Sequence, residues 1–306
     1  MIPKIKGKNV LYEFDTWWEM VDYSANGPSL IDTKGRNTRN KDRDVSFLNP
    51  KGKRDIKSFD DAYAMALNGW HAMESKLESI SEPIFDVISS QVEREEFYND
   101  VQGIGIDIAN YVNNIPECWV NIEPTIVEGK GNRIIKIVYA VSFSGSVASD
   151  TIANAGAVVL SLVKLLEFAG YRVDLTVGFS CEGSNNGQFE VYTNIKKPDQ
   201  SVDVGRLAYA LCHPSALRVH SFSLMETLPT VALLKNFGVI PSTEKTKVGK
   251  FVSNTGSYGH PGKLSRTGDI TIPGRCGYFT NAETQAWITK QLKDCGVQLK
   301  ETAGKC

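Results

Sequence analysis

Two stretches of this 306-residue chain concentrate cations and interleave them with aromatic rings, the pairing that holds a flexible polyanion. From Lys34 to Lys57 there are nine Lys and Arg against Asp42, Asp44 and Asp55, a net +6. From Lys245 to Arg275 there are six basic residues against Asp269 alone, with Phe251, Tyr258, His260 and several glycines among them. Ammonium and guanidinium groups pair with phosphates, and an aromatic face stacks on an unpaired base. Arg36, Arg39, Lys41, Arg43, Lys51, Lys53, Arg54, Lys245, Lys247, Lys250, Lys263 and Arg266 are the candidate phosphate contacts, and Phe251 and Tyr258 the candidate stacking rings. Duplex readers present a helix or a β-ribbon to the major groove. Neither basic stretch has such a pattern, so a single strand is the better fit.

Other chemistry is sparse. The turn Ser142–Asp150 could cradle a phosphate at a helix N-terminus, but it lacks both the lysine of a P-loop and the glycines of a dinucleotide fingerprint. A capped turn is the plainer reading. Asp174, Glu190 and Lys196 fall on neighbouring predicted strands, a set that a metal-dependent phosphate-ester enzyme would need clustered. Cys212 and His213 are adjacent, which disfavours a catalytic pair, and no two histidines have a helical metal-binding spacing. No catalytic residue, metal or cofactor is assigned. A virion or assembly protein that sets the basic loops against acidic partners is the remaining alternative.

These residues sit in a chain of formal charge −1, because residues 74–107 carry nine acids against Lys76 and Arg94. That acidic stretch reads as a solvated face or as a docking side for a basic partner. With 42% hydrophobic and 23% charged residues the chain can bury a sizeable core. No stretch approaches the ~18 consecutive apolar residues of a membrane helix, and the first residues lack the apolar core of a signal peptide. The expectation is an intracellular, cytoplasmic protein without a membrane partner. Six cysteines at unpatterned spacings read as buried thiols, neither a disulfide framework nor a zinc site.

Val10–Met20 fits a helix or a strand, and Trp17/Trp18 read first as an aromatic edge on the core and second as a stacking platform. Ser58 caps a helix that Asn68-Gly69 ends, with Asp60 and Asp61 in its first turn. Further helices are predicted from Ile84 to about Asp100 and from Ile104 to Asn113. A strand (134–143), a helix (151–169, capped by Ser149-Asp150 and stopped by Gly170) and a strand (171–179) follow, then a paired strand at Gln188–Lys196. Helices at 202–212, 215–227 and from Asn281 to near Gly296 complete the set. The order predicts one α+β domain over residues 1–306, a mixed β-sheet covered by helices, with long basic loops at 34–57 and 243–275.

The landmarks Ser58–Trp70, Pro116–Trp119, Ala155–Leu160 with Ala169–Asp174, and His213–Arg218 resemble a family of uncharacterised phage-encoded proteins. In size and charge pattern the chain is similar to the single-stranded DNA-binding RNA polymerase cofactors (Drc) of podophages that package their own polymerase. That resemblance implies a non-catalytic protein of the host cytoplasm that coats single-stranded DNA, engages a phage RNA polymerase and could form homo-oligomers. It assigns no contact residue.

Overall fold

The computed structural model describes residues 2–30, 56–71, 82, 96–103, 105–123, 133–144, 147–239, 260–274, 279–297 and 299. Twelve of the fourteen candidate contacts lie outside them; Lys263 and Arg266 lie within.

The run that fitted two periodicities is both elements in turn. β1 (Lys4–Lys6) and β2 (Asn9–Phe14) form a hairpin, and β2 buries Val10, Tyr12 and Phe14 by alternation. Two residues on, the Thr16 hydroxyl accepts from the Glu19 N–H, which satisfies a free donor and starts α1 (Trp17–Asn26). Ser58 and Asp61 form a reciprocal capping box at the start of α2 (Phe59–Asn68), and Gly69 ends it at φ +87°.

The helix predicted to reach Asp100 is corrected at its end, since Glu96–Asp100 is a strand, β3; of the rest only Glu82, just before it, is described. The next predicted helix shrinks likewise. Gly105–Ile106 is β4, and Asp107 caps a short α3 (Ile108–Val112) by accepting from Ala109 and Asn110. β5 (Trp119–Glu123) pairs antiparallel with both β3 and β4, and this pairing overrides the local helical pattern.

The strand–helix–strand unit forms as read: β6 (Ile134–Ala140), α4 (Ser149–Phe168) and β7 (Arg172–Glu182), with Gly170 at φ +86°. Its cap differs, for Ala148 precedes α4 and supplies no side-chain bond. β8 (Gln188–Lys196) pairs antiparallel with β7, with a bulge in the ladder at Leu175/Thr176. α5 (Val204–Cys212) follows, then a π-helical segment, Ala216–Ser221, leading into α6 (Phe222–Met225), where one regular helix was expected. α7 (Val231–Asn236) comes next. Within the predicted basic loop 243–275 lie two strands, β9 (His260–Pro261) and β10 (Ile270–Ile272); Ile270 and Ile272 are buried, which a loop would not explain. α8 (Asn281–Asp294) is capped by Thr280 with Glu283, one residue earlier than predicted.

The main sheet has the order β1-β2-β8-β7-β6-β10, with β9 pairing the end of β7. β2 is parallel to β8, and β6, β7 and β10 are mutually parallel, so the sheet is mixed. One face, bearing Tyr12, Phe14, Phe179 and Phe189, packs on Tyr23 of α1, Phe222 of α6 and Phe237 after α7. The other carries Glu13, Glu190 and Tyr192 and is crossed by residues 262–269. α4 packs on α5, α8 and β7. Among the described residues it alone is long and apolar enough to cross a membrane, yet thirteen of its 20 residues are buried, as befits a core helix.

Candidate nucleic-acid interface

β2 and β8 run parallel and end side by side, with Phe14 in register with Thr193. α1 begins at that same edge. Open α/β sheets bind ligands in the crevice beyond the carboxyl ends of their strands, and a helix N-terminus there favours negative charge. A pocket of about 310 Å3 occupies the place, lined by Trp17 and Trp18 from α1, Ala66 from α2, Asn194 and Lys197 from the end of β8, and Arg206 from α5. The volume is at the small end of ligand pockets.

The two adjacent indoles do different things. Trp17 donates from Nε1 to the Ala66 carbonyl (3.1 Å) and meets Tyr209 and His220 edge-on, so it is a packed core edge. Trp18 stands 48% exposed and meets Tyr63 in a T-shaped ring contact. Arg206 pairs with Asp203 at 3.4 Å, both exposed, a contact weak enough to yield to a phosphate. The Lys197 N–H donates to Gln200 Oε1, which fixes the chain where it leaves β8. Asp15 also lines the pocket, opposite in sign to Lys197 and Arg206.

Of the sequence-predicted contacts, Lys263 and Arg266 line no part of this pocket. They belong to the segment that crosses the polar sheet face. Glu190 anchors that segment by accepting from Ser265 N and Oγ (2.6 Å each) and from the Tyr192 hydroxyl (2.9 Å). Arg266 lies over the Tyr192 ring at 4.6 Å and forms an ion pair with Glu13; Lys263 is exposed. The Asp174/Glu190/Lys196 set does not converge. Glu190 faces Ser180, six residues along β7 from Asp174 and so roughly 20 Å away, while Lys196 is paired with Glu167 of α4. Asp174 is bonded to Asn194 instead. In the Ser142–Asp150 turn, Ser142 Oγ accepts from Ser180 N (2.7 Å), and Gly145 and Ser146 lie outside the described residues. Cys118, Cys181, Cys212 and Cys295 are buried and in no disulfide, and no metal-binding cluster occurs among the described residues.

Behind the pocket runs a buried polar chain. Ser24 Oγ donates to Val21 O, so it accepts from His220 Nδ1 (2.9 Å), and His220 Nε2 accepts from the Tyr209 hydroxyl (3.1 Å). Both ring nitrogens are thereby satisfied in the neutral form, and burial pushes the His220 pKa down to about 4. The unfolded chain protonates near 6.5 and the folded one does not, so this contribution is full above pH 6.5 and declines as pH falls toward 4. The expected loss is about 3 kcal/mol. Urea unfolding at pH 7.5 and 4.5 measures it, and His220→Gln should remove that part of the pH dependence.

No curated protein and no solved structure matches the chain. A family model described as a domain of unknown function, DUF7192, does match, over residues 2–298, nearly the whole of the mixed sheet, its helices and the pocket edge, and the chain belongs to that family.

Proposed function

We propose that this is a sequence-tolerant single-stranded DNA-binding protein whose pocket at the ends of β2 and β8 receives one unpaired base. The observation that supports this reading is the half-exposed Trp18 ring beside Lys197 and Arg206 in an open pocket. Stacking on Trp18 is indifferent to base identity, and the two cations grip the flanking phosphates. The basic segments 34–57 and 245–275 would lengthen the electrostatic track. A role as transcription cofactor of a phage RNA polymerase is the further part of the proposal, supported by the resemblance of the sequence landmarks alone.

Fluorescence anisotropy of one labelled sequence, single-stranded and duplex, at two salt concentrations is the test. Single-strand preference with strong salt sensitivity is expected. Trp18→Ala should weaken binding about tenfold, since a stacked base contributes ~1–3 kcal/mol. Lys197→Ala with Arg206→Ala should reduce the salt slope by about two. Equal binding of both forms, or undiminished affinity in Trp18→Ala, would defeat the reading.

A further inference from the structure

Scattered apolar residues on a surface are ordinary, whereas clustered ones mark an interface. Eight of the twelve large apolar side chains exposed among the described residues fall between residues 98 and 119. Register explains part of the clustering. Trp119 is in register with Asp100 on β3 and Ile106 on β4, so Tyr98, Ile106 and Trp119 share one face of the small sheet, and all three are exposed. α3 adds a second row at helical spacing, with Ile108 72%, Tyr111 62% and Val112 70% exposed, and the helix buries no residue at all.

The row is held firmly. Asp107 N donates to Cys118 O (2.8 Å), and Asn99 Nδ2 donates to Asp107 Oδ2, so α3 is tied to both neighbouring strands. Its charge is one-sided: residues 96–123 contain Glu96, Asp100, Asp107, Glu117 and Glu123 and no Lys, Arg or His. A surface that is apolar and wholly acidic repels nucleic acid. It complements a partner of the opposite sign with an apolar face of its own.

We propose that the β3-β5-β4 sheet and α3 form a docking surface for a protein partner that presents a basic, apolar-faced segment. This site is separate from the pocket and does not depend on the strand-binding proposal. The probe is a labelled amphipathic helical peptide with Lys on its polar face and Leu and Trp on the other, compared with its Glu-for-Lys counterpart, titrated into the full chain. Binding of the basic peptide alone is expected. Ile108→Ser with Tyr111→Ser should weaken it at least tenfold, and so should Asp100→Asn with Glu117→Lys, while circular dichroism and the thermal midpoint stay put because these side chains are exposed. Binding of neither peptide, equal binding of both, or variants with undiminished affinity would overturn the proposal. So would self-association of the chain, measured by light scattering and abolished by Ile108→Ser with Tyr111→Ser, which would assign the face to a second copy.

Discussion

Gly156→Ala should lower the thermal midpoint by about 3–5 °C, although alanine is the better helix former by ~1 kcal/mol. Gly156 sits in the middle of α4 where α5 crosses it. A Cβ there would lie 2.3 Å from Cys212 Sγ and 2.7 Å from the Leu211 carbonyl oxygen. The carbonyl belongs to the α5 backbone and cannot swing aside, so the two helices must separate. Overpacking of this kind costs about 3 kcal/mol, well beyond the propensity gain. The sign of the effect is therefore the test, and thermal melts followed by circular dichroism read it. Cys212→Ala in the same chain should return part of the loss by removing the nearer contact while leaving the backbone one. An unchanged or raised midpoint would show that α4 and α5 do not meet at Gly156. α5 carries Arg206 and Ala210 into the pocket wall, so the variant should also blunt single-strand affinity.

Elements whose signals are local were readable in the chain. Ser58 with Asp61, Gly69, Gly170 and the apolar run of β6 each act within a few residues, and each element formed where they point. The α+β class followed from their order. What depended on partners distant in sequence was not readable. Glu96–Asp100 looks helical until β5 pairs with it, and Ile270–Ile272 is too short to stand out until β6 lies beside it. The pocket is of the same kind. It exists because Val10–Phe14 pairs with Phe189–Thr193, nearly 180 residues away, and only that register brings Trp18 beside Lys197 and Arg206. In the sequence those two cations are isolated charges, and the Trp17-Trp18 pair reads as one object when one ring is packed and the other open. The charge-dense segments, in contrast, announce themselves by composition, which says what they attract and nothing of where they sit.

Glu167→Ala should destabilise the fold by about 3–5 kcal/mol, because it leaves a buried ammonium without its counter-charge. Lys196 is 2% exposed and pairs with Glu167 at the end of α4; its Nζ also donates to the carbonyls of Val173 (3.2 Å) and Lys197 (3.3 Å). Glu167 in turn accepts from Val173 N (2.9 Å) and lies 3.5 Å from Arg172. The pair thus ties the end of α4, the start of β7 and the exit of β8 into one joint, and the last of these sets the backbone of Lys197. Burying an ion pair costs desolvation that a well-packed apolar pair avoids, so Glu167→Leu with Lys196→Met should recover most of the stability lost in the single variant. Stability and binding then come apart. The double variant should unfold in urea near the wild-type midpoint yet bind single strands more weakly, since nothing any longer tethers the Lys197 carbonyl at the pocket edge. A single variant within about 0.5 kcal/mol of wild type would mean that water, and not Glu167, carries the Lys196 charge. A double variant with full affinity would mean that Lys197 is placed by Gln200 alone.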